Sequence, residues 1–184
     1  MTDYFALLDQ PRAPWLDLEK LKEAFHQRTL HAHPDQQSGD NEAFAKLNEG
    51  YRVLREPKRR LEHLLALLGE PPLPQTALPK EIEELFPSIA ALVREADDVI
   101  AKMANAASAL SRSLARAAVA PMQARLQGSA RTLADLQEES LVRLKALNAA
   151  DIAELRLHYV RLSYLGRWLA QLEEKQTRLS ETMA

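Results

Sequence analysis

Four prolines fall within the run Glu70-Pro71-Pro72-Leu73-Pro74-Gln75-Thr76-Ala77-Leu78-Pro79. Each proline fixes φ and lacks an N–H, so no helix or sheet ladder survives such a run. The segment reads as a stiff, extended connector. It predicts two domains, at 1–70 and 80–184, joined by a linker at 71–79.

On both sides of this divide the apolar residues recur with helical rhythm. The chain holds only 5 Gly, and its residues are rich in Ala, Leu, Glu and Arg, which favours helices throughout. We therefore expect an all-α protein. Before the divide, Asp3 caps a first short helix that buries Phe5 and Leu8, and Pro11 and Pro14 end it. Asp17 caps a second helix carrying Leu18, Leu21 and Phe25, which breaks at His33-Pro34-Asp35. A third presents Phe44, Leu47, Tyr51 and Leu54 along one stripe. Pro57 opens a fourth bearing Leu61, Leu64, Leu65 and Leu68, and Gly69 closes it.

Beyond the connector, a seam of Ile89, Leu92, Ala96, Val99, Met103, Leu110 and Leu114 predicts a long helix. A break at Ala120-Pro121 is expected to restart it as Met122, Leu126, Leu133, Leu136, Leu144 and Leu147. Asn148 to Asp151 makes a turn and a cap before a last helix with Ile152, Leu155, Tyr159, Leu162, Leu169 and Leu172. These segments predict an antiparallel three-helix bundle. The last helix also has a second apolar row, Leu157, Val160, Tyr164 and Trp168, which must face either more protein or a partner.

Composition narrows the function. A net charge of -2 disfavours a nucleic-acid binder, and the absence of Cys removes disulfides, thiolate metal sites and Cys nucleophiles. No secretory signal and no apolar run of the ~20 residues a bilayer requires is visible, so a cytoplasmic protein with no membrane partner is expected. His31 and His33 lie two apart, on different faces of a helix, and no third ligand falls at metal spacing. No nucleophile, phosphate-cradling glycine loop or clustered acid and base is apparent. The expectation is a non-enzyme with no metal and no cofactor.

The tripeptide His33-Pro34-Asp35 is then most informative. Pro34 holds its own φ and pushes His33 out of the α region, giving a rigid corner between helices that presents an imidazole and a carboxylate outward. With Asp3-Tyr4-Phe5, Leu7-Leu8, the run Phe44 to Leu54, and Pro57 with Arg60, it resembles the J domain of DnaJ-type co-chaperones. The run Arg60 to Gly69, the connector, the helical bundle and the ending Tyr164 to Lys175 are similar to the HscB family, the J-type co-chaperones of iron–sulfur cluster assembly.

The resemblance implies two partners. An HscA/DnaK-type ATPase chaperone would be met by His33, Pro34 and Asp35, with Lys20, Lys22, His26, Arg28, His31 and Asn48 alongside; Asp35 would pair with an arginine of that partner. An IscU-type scaffold would be held by Leu85, Phe86, Ile89, Asp97 and Tyr164. Arg60 would be structural. The chain also departs from the family pattern. Gln36 stands where a cation is usual, Ala32 and His63 replace aromatics, Ala90 and Val93 replace glutamates, and Pro87 interrupts the client segment. Docking should therefore be slower and less salt-sensitive than for strongly steered pairs, or else the partner's surface is matched and less acidic. The alternative is a J-like interaction protein with a different client, or one that stimulates no ATPase.

Overall fold

The computed structural model describes residues 1–32, 41–70 and 78–182. Among them every regular element is a helix: α1 (Tyr4–Leu7), α2 (Leu18–Ala32), α3 (Asn41–Arg55), α4 (Pro57–Leu67), α5 (Lys80–Ala104), α6 (Ala109–Leu144) and α7 (Ile152–Glu181). The all-α expectation holds. No helix of the described residues is long and apolar enough to cross a membrane.

The helices build two compact units, one from Met1–Ala77 with Ser140–Leu162, the other from Leu78–Glu139 with Ser163–Ala184. Their boundary falls within the expected connector, of which residues 71–77 lie outside the described residues. Ser140–Leu162 was expected to belong to the bundle. Instead Leu144, Leu155 and Leu162 are buried in one cluster with Phe5, Leu8, Leu21, Leu54, Leu61 and Leu64. These three leucines extend the interior that the four short helices build.

In the first unit Asp3 caps α1, its Oδ1 accepting from the N–H groups of Phe5 (3.0 Å) and Ala6 (3.2 Å). Asp9, at φ 52°, and Gly69, at φ 75°, occupy the left-handed region where α1 and α4 end. At the second of these, Glu70 N–H donates to Leu65 O (2.9 Å) and Gly69 N–H to Ala66 O (3.2 Å), satisfying carbonyls that the helix end leaves free. α3 packs against α1, α2 and α4. Its contact with α1 is close at Gly50, where a Cβ would meet Tyr4 Cδ1 at 3.1 Å. Phe25 of α2 stacks on Tyr51 of α3 at 4.5 Å between ring centroids. Asp17 caps α2 through Glu19 N–H (3.0 Å), as expected, but Leu18 is 49% exposed rather than buried.

Arg60 is the central polar group of this unit. It is buried, its Nε donating to Pro14 O at 2.9 Å and its Nη1 to Leu54 O at 2.7 Å. One side chain thus ties α4 to the end of α3 and to the loop before α2. Burial lowers its pKa to about 10, so it stays charged at neutral pH. The structural role expected for Arg60 is borne out.

His63 is a second buried group, and its Nε2 accepts the Tyr4 N–H at 3.1 Å. Its ring also packs against Tyr4 and Phe5, at 4.7 and 5.7 Å between centroids. It therefore serves the first-turn donor of α1 that Asp3 leaves over. Burial holds His63 below the ordinary histidine pKa, with Asp3 opposing and Arg12 assisting that shift. The unfolded chain then binds a proton that the folded one refuses. Stability is full above about pH 6.5 and falls as pH drops below it. A His63→Gln variant, whose carbonyl also accepts the Tyr4 N–H, should lose less stability than wild type between pH 7.5 and 5.5 in thermal unfolding. Parallel losses in the two proteins would contradict this.

The second unit is a three-helix core. Ile82, Ile89, Leu92, Ala96, Val99 and Ile100 of α5 meet Val119, Met122, Leu126 and Leu133 of α6 and Leu165, Trp168, Leu172 and Leu179 of α7. Arg125 pairs with Glu95, and Gln123 donates to Ser180 Oγ at 3.2 Å, so α6 runs antiparallel to both neighbours. The break expected at Pro121 is corrected: it lies inside a continuous α6, and Pro87 likewise lies inside α5. Both are on solvent-facing positions, as are Ala117 and Glu83 four residues earlier, whose carbonyls lose an N–H partner and meet water instead. Leu110 and Leu114, expected in the seam, are 71% and 66% exposed.

Candidate functional site

The tripeptide His33-Pro34-Asp35 lies outside the described residues, within the connection from α2 to α3. The cations expected beside it are on α2, and their placement follows from helical spacing. Lys20 and Arg28 fall along one edge of the helix, Lys22 and His26 along another, rather than on a single face. All four are exposed. Lys20 and Lys22 form no ion pair among the described residues. Arg28 is committed to Asp9, with Nη2 at 2.6 Å from Oδ1 and Nε at 2.9 Å from Oδ2. The left-handed turn at Asp9 brings that carboxylate to α2 and offsets one of the expected steering charges. Asn48 is exposed on α3, its Nδ2 donating to Phe44 O at 2.8 Å.

The residues expected at the client site belong to the second unit. Phe86 of α5 is 51% exposed, with its ring edge-on to Trp168 of α7 at 6.2 Å. Tyr164 meets the same indole edge-on at 5.7 Å. Around these rings runs a groove of about 350 Å³ between α5 and α7, with Phe86, Ile89, Ala90 and Val93 on one side and Tyr164, Arg167 and Trp168 on the other. Phe86, Ile89 and Tyr164 are thus brought together. Ile89 is buried and forms the floor of the groove.

Leu85 and Asp97 stand apart from the groove. Leu85 packs partly buried against the core. Asp97 lies a turn beyond Val93, where Lys175 Nζ is 3.0 Å from its Oδ1 and Arg178 Nη1 3.7 Å. Asp97 is therefore already neutralised by α7, because its i+4 offset from Val93 points it at the basic end of that helix. Sequence reasoning noted the row containing Trp168 without assigning it to the site. An exposed Phe one turn from a small residue, facing an aromatic row on another helix, was the available signal. It pairs elements too distant in sequence for periodicity to join.

Comparison with known proteins gives a family model, two relatives and a solved structure. A family model described as the DnaJ domain matches residues 3–63. Chaperone protein DnaJ of Campylobacter hominis is 40% identical over 63 residues, 33% of this chain and 17% of that protein. The co-chaperone protein HscB homolog of Azoarcus sp. is 35% identical over 75 residues, 36% of this chain and 42% of that protein. The chain thus spans less than half the length of these curated relatives. The solved structure of chaperone HscB from Vibrio cholerae shares the fold, with a TM-score of 0.53 at 20% identity, covering 97% of this chain and 99% of that one.

Proposed function

We propose that this HscB-like J-domain protein is a J-type co-chaperone of the cytoplasm that stimulates the ATPase of an HscA/DnaK-type chaperone and delivers to it an IscU-type iron–sulfur scaffold. The observation that carries this reading is the α2–α3 hairpin, within a DnaJ-domain match, with His33-Pro34-Asp35 in its connection. Asp35 pairs with a chaperone arginine, a charge-assisted contact, and Lys20 and Lys22 add attraction to an acidic surface. The groove at Phe86, Ile89 and Tyr164 holds the client. Because one chain binds both, each partner meets the other at raised effective concentration. The protein does no chemistry of its own in this scheme. It acts by placing two partners together.

A second reading has one specific observation in its favour. With Arg28 tied to Asp9, α2 offers less free positive charge than its sequence suggests, which suits a J-like protein that binds without activating.

A steady-state ATPase assay with the host's DnaK-type chaperones tests both. Wild-type protein should raise turnover, and Asp35→Asn should abolish the rise while leaving thermal unfolding unchanged. Stimulation undiminished in the variant would overturn the assignment to the tripeptide, and no stimulation by wild type would favour the second reading.

A further inference from the structure

Among the described residues lining the α5–α7 groove only two carry charge, and both are positive: Arg94 on α5 and Arg167 on α7. Both are exposed. Arg94 makes no ion pair among the described residues. Arg167 stands over the Tyr164 ring, its Cζ 5.3 Å from the centroid, which positions the guanidinium without neutralising it. Three of the neighbouring carboxylates are taken up by other cations. Glu95 pairs with Arg125, while Asp97 and Glu174 are taken up by Lys175 and Arg178.

Between these cations the groove is apolar. Ile89 is buried at its floor, Ala90 and Val93 leave the α5 side low, and the half-exposed Phe86 forms a lip against Trp168. A volume of about 350 Å³ sits at the small end for ligand clefts, suiting one or two side chains of a docked segment better than a whole cofactor. The combination is an apolar slot with a free guanidinium contributed by each of its two helices.

We infer that the groove takes an acidic amphipathic segment of the client, with an apolar anchor seated against Ile89, Val93 and Trp168 and carboxylates meeting Arg94 and Arg167. The inference rests on the client-binding reading above and adds the sign of charge that the client must carry. A basic segment would face two cations it could not escape, while a neutral one would leave both guanidiniums without a partner.

Fluorescence anisotropy on the full chain tests it with three labelled synthetic helical peptides that share Leu and Phe anchors and carry Glu, Gln or Lys at the flanking positions. The Glu peptide should bind about fivefold tighter than the Gln peptide, the Lys peptide weakest, with the preference shrinking as salt rises. Arg94→Glu with Arg167→Glu should reverse the order, and Phe86→Ala should weaken all three. Equal binding of the three that is still weakened by Phe86→Ala, or a preference for Lys, overturns the charge inference and leaves the groove as a docking site. No binding by any peptide, or indifference to Phe86→Ala, overturns the inference and the client reading together.

Discussion

Arg60→Ala should destabilise the N-terminal unit by about 3–5 kcal/mol. Two buried carbonyls depend on that guanidinium, Pro14 O and Leu54 O. Leu54 is in the last turn of α3, where the helix dipole is negative and carbonyls have no helical partner. The substitution therefore uncaps α3, frees the loop before α2 and leaves a cavity. Arg60→Met restores volume but no donor and should recover only part of the loss. The two tryptophans allow the units to be followed separately, since Trp15 lies in the first and Trp168 in the second. In a Trp168→Phe background, the urea midpoint reported by Trp15 should fall sharply in Arg60→Ala. An unmoved midpoint would show that the buried charge is of little consequence.

Leu155→Ala should weaken the same unit by about 2–5 kcal/mol, although it lies far beyond the last residue of α4. Leu155 is fully buried in the cluster of Phe5, Leu61 and Leu64. Further contacts fasten this segment to the first helices. Arg156 pairs with Glu70, Lys58 lies over the Tyr159 ring at 5.9 Å, and Lys145 lies over Trp15 at 5.5 Å. The Trp15 signal should again report the loss. If the variant shifts only the Trp168 signal, Leu155 belongs energetically to the other unit and the packing argument fails.

Much of this architecture was legible from local chemistry. Caps at Asp3 and Asp17, the proline at the start of α4 and Gly69 at its end act within a turn or two, so sequence states them directly. The apolar stripe of α3 was equally plain, with Leu47 and Leu54 buried and Tyr51 partly so. Errors arose where phase or environment was set by distant residues. Leu110 and Leu114 continue the α5 rhythm on paper, but the chain turns at 105–108 and α6 starts in a new phase, burying Ala115, Val119 and Met122 instead. Pro121 ends a helix only where its freed carbonyl would be buried, and here the position faces water. At the groove, Phe86 and Tyr164 could be named from the resemblance. The company of Trp168, Arg94 and Arg167 required the two helices to be placed side by side.

The interleaved composition of the two units has a consequence for how the protein is made. The first is completed by Ser140–Leu162 and the second by Ser163–Ala184, so neither interior closes until the final helix exists. During synthesis the N-terminal helices emerge well before Leu144, Leu155 and Leu162, which share their interior. Such distant closure slows maturation and lengthens exposure to aggregation. It also ties the two halves together in time: a chain that has not finished its last helix has neither face ready.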